Sequence, residues 1–336
     1  MRTIADFQGR SNNLGLARWI AAVLVVFSHA YGVLGLGPDP LEQLSGGQVS
    51  FGGLAVALFL FASGFFVSRS LRQKSGRQFF RSRMVRLYPA FAVVILLSVF
   101  VLGPLATTLS AGAYFSSPGT WSYLLYLVMV PRYFLPGVFE ANPVSHVNAS
   151  LWTMILEALC YLALFIAGKL KLLRKRLVPL YLSVYVLSAV VLFGLRPGLV
   201  SAYVSYLRPL YFFAAGVIFH IYRERISLDG RISLISGVLF IALFALGRAN
   251  LAMVLCLPWL LAAMIFARRQ LPEAPGRLGD YSYALYLTAF PLQQLWRGWV
   301  PGSGAALHVL LVVASSAVVV LPLYYGVEKR FSEKAK

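Results

Sequence analysis

Arg18 and His29 stand eleven residues apart in "LGLARWIAAVLVVFSHAYGVL" (14–34), a run long and apolar enough to cross a bilayer. Eleven helical residues turn about 1100°, roughly 20° past three full turns, and rise roughly 16 Å. Both side chains therefore fall on one stripe, the arginine near one end and the histidine toward the other. A central arginine costs about 2.5–3.5 kcal/mol on insertion scales. Arg18 alone reads as a flanking anchor whose long side chain snorkels to the interface, and a lone histidine near an interface has an equally bland reading. Two on one stripe point to a polar path across a helix bundle, with histidine chemistry at its far end: proton transfer or nucleophilic attack.

Two further groups carry chemistry. In "FFRSRMVRLYPAF" (79–91), Arg83 and Arg86 are i, i+3 neighbours just before an apolar run, with Arg81 close by. Anchoring by positive charge explains arginines here, yet arginine in place of lysine suits a fork for phosphate. In "VNASLWTMILEALCYL" (147–162), Ser150, Thr153, Glu157 and Tyr161 fall on one helical face. A carboxyl group inside a span is paired, neutral or facing a wet cavity; function is the default hypothesis and a structural ion pair its rival. Ser63 and Gly64 in "ASGFF" read first as close helix packing. Arg208, next to Pro209, reads equally as an interface anchor; His146 is an outer-loop residue, and His220 and His308 look like helix-end residues. The sequence contains no metal-ligand cluster, no phosphate-binding Gly-rich loop and no Gly-x-Ser-x-Gly elbow, so no metal is expected.

The elements that position these residues are membrane spans. Of 336 residues, 59% are hydrophobic and 12% charged, against about a quarter charged in a soluble domain. The expected fold class is an all-α polytopic membrane protein. Apolar runs lie near 14–34, 51–68, 88–109, 149–168, 177–194, 200–221, 231–247, 250–267, 281–299 and 305–326, with a shorter one at 120–130. The first reads as a retained span, not a cleaved leader, because more membrane follows it. The net charge of +19 sits in short clusters between the runs (68–86, 169–176, 222–231, 267–277, 328–336), which places it with membrane orientation and argues against nucleic acid. If 120–130 does not span, every cluster faces the cytoplasm. Ten transmembrane helices with both termini cytoplasmic are therefore expected, with 120–130 dipping into the outer leaflet or lying on it. A long outer loop, 110–148, and a cytoplasmic Arg-rich loop, 69–87, follow; the outer loop is the natural place to meet an external substrate. Cys160 and Cys256 both lie inside apolar segments, which argues against a disulfide framework.

Taken in order, several motifs resemble the acyltransferase-3 family of integral membrane acyltransferases. They are Arg-x10-His (Arg18, His29), "FLFASGF", Arg-x-x-Arg-Leu-Tyr-Pro (Arg83 to Pro89), "NASLWTMILEALCY" (148–161) and "GDYSYALYL" (279–287). Any one alone is weak; the ordered set spans nearly the whole chain. Two positions depart from the pattern: "TAFPLQQ" follows the last motif where many members carry histidine, and Ala57 stands where some carry an acid. The resemblance implies a single membrane-embedded acyltransferase domain over 1–336, in the short form without an appended esterase-like domain, in a bacterial cytoplasmic (inner) membrane.

The resemblance further implies an O-acetyltransferase that moves an acyl group, usually acetyl, from cytoplasmic acyl-CoA to a hydroxyl of a cell-surface or lipid-linked carbohydrate. Acyl-CoA is then a donor substrate and no cofactor is permanently bound; the partners are acyl-CoA, the glycan acceptor and membrane lipid. Arg18, Arg83 and Arg86 are expected to bind the polyanionic donor. His29 and Glu157 are expected to be catalytic, His29 as base or as acyl-carrying nucleophile and Glu157 as its orienting partner or as an acceptor ligand. Asn148, Ser150, Trp152 and Tyr161 are assigned to the acceptor. A transporter or flippase for a lipid-linked sugar is the rival class, since polar residues in spans mark substrate paths there too; inverted repeats common in such folds are not evident. A non-enzymatic scaffold is a third, and it would tolerate alanine at His29 and Glu157.

Overall fold

A computed structural model describes residues 3–6, 13–199, 203–267 and 281–334. Ten long helices run through them: α1 (Leu14–Leu34), α2 (Phe51–Gln73), α3 (Gly76–Ala106), α4 (Trp152–Lys169), α5 (Lys175–Leu195), α6 (Val204–Tyr222), α7 (Gly230–Ala245), α8 (Ala249–Ile265), α9 (Ser282–Trp299) and α10 (Ala305–Glu333). The protein is an all-α polytopic membrane protein. Seven of these helices are long and apolar enough to cross a membrane; α7 and α8 are apolar but shorter. Helix α9 carries Thr288, Gln293, Gln294 and Arg297, which lower its hydropathy.

The run at 120–130 is not a long helix. It breaks into the turns Pro118–Ser122 and Tyr123–Val128, and Met129 closes it with a left-handed φ of 62°. Such pieces are too short to span. The stretch 69–87, expected as a loop, is helical except at Lys74 and Ser75: α2 runs to Gln73 and α3 resumes at Gly76. Apolar length marks where membrane begins, not where hydrogen bonding begins, and the arginines propagate a helix well. The helical face expected to carry Ser150, Thr153, Glu157 and Tyr161 is also shorter than expected, because Ser150 precedes the first turn of α4.

The chain forms two compact units. The first draws on Met1–Ala21, Pro40–Gly76 and Glu157–Asp280, and the second on Ala22–Asp39, Arg77–Leu156 and Tyr281–Lys336. In the first, α2 and α6 cross at glycine. A Cβ on Gly64 would lie 2.1 Å from the Phe213 carbonyl oxygen, and one on Gly216 would lie 2.1 Å from that of Phe61. Small residues let backbones approach this closely, which in lipid replaces the hydrophobic drive. Helix α5 packs through Ala189 and Phe193 on Leu251 and Val254 of α8. Helix α7 buries none of its residues and shows Leu234, Ile235, Val238 and Ile241, a face suited to lipid.

In the second unit, α3 passes through a π-helical turn at Ser98–Leu102. Tyr114, buried in the loop 110–148, donates its hydroxyl to the Val99 carbonyl at 2.9 Å. Gly103 makes room for it, since a Cβ there would lie 1.8 Å from the phenol oxygen. Tyr123 and Tyr126 are also fully buried, so the loop 110–148 folds onto a core of tyrosines. Helices α9 and α10 are joined by Trp296 Nε1, which donates to Ser315 Oγ at 2.9 Å.

Candidate active site

The first unit places Glu157, the first residue of its share of α4, against α2. Ser63 Oγ donates to Glu157 Oε1 at 2.6 Å, Tyr161 donates its hydroxyl to the same oxygen, and the two hydroxyls lie 3.2 Å apart. Tyr161 reaches Glu157 because i and i+4 share a helical face. Ser63 is brought there by the adjacent Gly64, which lets α2 pack closely on α6. The expected packing role of "ASGFF" thus covers Gly64, whereas Ser63 has a polar partner that sequence spacing alone did not reveal. Three polar groups meeting within an apolar unit satisfy one another. They also form a constellation able to hold a hydroxyl-bearing substrate.

Arg208 is a structural hub of this unit. The residue is only 9% exposed, and its guanidinium donates through Nη1 to the Gln48 carbonyl at 2.7 Å and to Asn250 Oδ1 at 3.0 Å. Gln48 in turn bonds Gly247 and Asn250. Arg18 lies on α1 in the same unit and is half-buried. His220, at the end of α6, is buried with its ring edge-on to Phe65 at 5.2 Å.

The second unit places His29 on the following turns of α1. Its ring meets Phe290 of α9 edge-to-face, 5.1 Å between centroids and 80° between planes. The neighbouring Ser28 donates its hydroxyl to Asp39 Oδ2 at 2.6 Å, and Asp39 is 2% exposed. Gln293, fully buried on α9, donates to the Val26 carbonyl at 2.9 Å, one turn before His29. Histidine is therefore held on a stretch of α1 that a glutamine amide and an aspartate both secure. Asp39 and Gln293 were not anticipated. Their signals were a carboxylate in "GPDP" directly after a span and two adjacent amides in "TAFPLQQ", a stretch noted only for lacking histidine.

The motif around Asn148 is lashed to α9. Asn148 Nδ2 donates to the Leu287 carbonyl at 2.8 Å, and its Oδ1 accepts from the Ser150 amide at 3.0 Å. Thr153 Oγ1 and the Tyr286 hydroxyl are 2.6 Å apart, and Tyr286 also donates to the Ser150 carbonyl. Asn148 and Ser150 are buried and Trp152 is half-buried. The side chain of Asn148 is thus spent on structure. Ser82 to Ala90 belongs to α3, with Arg81 and Arg86 exposed and Arg83 half-buried. Tyr88 and Tyr283 brace this region through the carbonyls of Leu127 and Leu87. Of the "GDYSYALYL" motif, Gly279 and Asp280 lie outside the described residues, as does most of the basic cluster at 267–277.

On the loop 110–148, His146 lies beside Tyr133 and Phe134, and Gln294 of α9 donates to the carbonyls of Val144 and His146, each at 2.6 Å. Partial burial lowers the His146 pKa below that of a free imidazole. Among the described residues no group of three or more His, Cys, Asp or Glu is placed to hold a metal ion.

Residues 11–325 match a family model described as an acyltransferase domain. An O-acetyl transferase of Shigella phage Sf6 is 28% identical over 298 residues, which cover 85% of this chain and 86% of that protein. Nodulation protein 10 of Rhizobium leguminosarum bv. viciae is 36% identical over 167 residues, 46% of this chain and 44% of the relative. No solved structure matches.

Proposed function

The chain belongs to the acyltransferase-3 family and is an integral membrane O-acyltransferase, and on that premise we propose that it carries acetyl from cytoplasmic acetyl-CoA to a hydroxyl of a cell-surface or lipid-linked carbohydrate in a bacterial inner membrane. The observation that carries this reading is the family match along nearly the whole chain, joined to a relative of similar length named an O-acetyl transferase. In this reading the chain is one membrane-embedded domain, with ten spans and both termini in the cytoplasm.

Acetyl-CoA is polyanionic and does not cross lipid, so its phosphates dock on cytoplasmic arginine. Arg83 and Arg86 supply that charge from α3, and Arg18 from the start of α1. The thin pantetheine arm follows the stripe of α1 toward His29. There His29 takes the proton of the acceptor hydroxyl as its oxygen attacks the thioester carbonyl. The C–S bond breaks, and the CoA thiolate leaves with the proton that His29 returns. Glu157, with Ser63 and Tyr161 donating to it, provides hydroxyl recognition for the acceptor, and Trp152 is assigned to the acceptor as well. Asn148 and Ser150 serve that acceptor region by fixing the entry into α4.

The test is acetyl transfer by purified protein in membranes, with labelled acetyl-CoA and a glycan-lipid extract. General-base catalysis contributes about 10²–10⁴-fold. His29→Ala should lose that much turnover, reach normal membrane levels and still bind acetyl-CoA. Intact-protein mass after incubation with acetyl-CoA alone reports whether His29 itself becomes acetylated. Near-normal turnover by His29→Ala would overturn its role. A wild-type protein that moves the glycan lipid across vesicles without consuming acetyl-CoA would overturn the donor and acceptor assignment.

A further inference from the structure

The outer loop presents an aromatic surface that the reaction above does not use. The His146 ring lies 5.0 Å from Tyr133, with 33° between planes, and 5.1 Å from Phe134, with 63° between planes. Phe134 is 56% exposed, whereas its neighbour Leu135 is 2% exposed and Val147 is fully buried. The loop thus has a core of its own, and Phe134 is left out of it. Tyr133 and His146 are half-buried.

The surface is held stiffly. Val147 donates its amide to the Tyr133 carbonyl at 2.7 Å, which fixes the two strands of the loop together. Gln294 grips the carbonyls of Val144 and His146, and Asn142 Nδ2 donates to Gln294 Oε1 at 2.9 Å. The same loop also carries polar groups: Arg132 and Glu140 are exposed and Asn142 is half-buried. Rings that offer an apolar face together with an imidazole edge, on a loop that also displays polar residues, match the two-sided chemistry of a pyranose. Its axial C–H bonds lie on aromatic faces and its hydroxyls reach polar tips. A surface meant for acyl chains would not need the imidazole.

We propose that Tyr133, Phe134 and His146 form a stacking subsite that holds a pyranose ring of the acceptor glycan. The subsite rests on the reading of the acceptor as a carbohydrate met by the loop 110–148 outside the membrane. Its role is recognition, not chemistry, so it acts on acceptor binding and leaves the donor alone. Because Gln294 neighbours Gln293 on α9, the helix that carries this loop also secures α1 beside His29.

The test uses purified full-length protein, radiolabelled acetyl-CoA, and a dilution series of the total lipid-linked glycan fraction from the source cells. Phe134→Ala should raise the half-saturating glycan concentration roughly three- to tenfold, the scale of one aromatic contact. The half-saturating acetyl-CoA concentration and the limiting rate should stay within twofold. Phe134→Trp should restore glycan saturation, because it keeps a stacking face. His146→Gln, which keeps polarity and removes the ring, should behave like Phe134→Ala. An unchanged glycan response in Phe134→Ala would overturn the subsite while leaving the transferase reading intact. So would equal losses for donor and glycan, or a lowered melting temperature that Phe134→Trp does not repair, since both indicate a merely structural or membrane-anchoring side chain. No acetyl transfer by the wild type would instead remove the reading on which the subsite rests.

Discussion

Glu157 is the residue on which two hydroxyls converge, and its neighbours make separable predictions. Tyr161→Phe removes one donor to Oε1 and leaves Ser63 in place; Ser63→Ala does the converse. An unmet buried polar group costs about 1–3 kcal/mol, so each variant should melt lower in detergent, and the double variant should lose less than the sum because both act on one oxygen. Additive losses in the double-mutant cycle would show that the three groups do not form a unit. Glu157→Gln should insert normally and transfer acetyl slowly; wild-type turnover at saturating glycan would remove Glu157 from the reaction. Residue spacing made the contact between Glu157 and Tyr161 legible in advance. Ser63 was not, because its partner is 94 positions away and no local period records it. Asp39 and Gln293 escaped for the same reason. Their meaning comes from Ser28 and from the Val26 carbonyl, and only folding brings those together.

Helices were legible because a bilayer demands long apolar runs and rewards internal hydrogen bonding. What composition could not give was how closely they approach. At the crossing of α2 and α6, Gly64→Ala drives a methyl group toward the Phe213 carbonyl, a backbone atom that cannot rotate away. Overpacking costs about 1–3 kcal/mol, so a clear fall in melting temperature is expected, with a similar fall for Gly216→Ala. Wild-type melting of either variant would show that the two helices have slack. The element carrying Arg83 and Arg86 leads to a different prediction. Its continuity from Gly76 holds both arginines at fixed helical positions, not on a floppy loop. Charge-assisted contacts contribute about 1.5–3 kcal/mol each, so Arg83→Gln with Arg86→Gln should weaken CoA binding at least tenfold. An unchanged affinity would count decisively against the arginines as the phosphate site.

For the molecule as a whole, membrane orientation is the proposal most open to direct measurement. Cys160 and Cys256 are free and buried, so Leu172→Cys and Ala141→Cys can be placed in a background lacking both. An impermeant thiol reagent should label position 141 in intact cells, and position 172 only after the membrane is opened. Labelling of 172 from outside would overturn the ten-span arrangement. Charge bias alone supplied this topology, and the short turns at 118–128 agree with it by leaving no long helix there. The sequence was silent on how the loop 110–148 is held, and that has a bearing on how such proteins diverge. Gln294 grips Val144 and His146 by their carbonyl oxygens, atoms that every amino acid carries. Only Asn142 adds a side chain to this grip, through its amide to Gln294 Oε1; the rest of the fastening is indifferent to which side chains the loop displays. Lineages can rewrite the other side chains while keeping the glutamine and Asn142, and a loop exchanged between relatives should seat correctly wherever that amide pair and the loop's length are preserved.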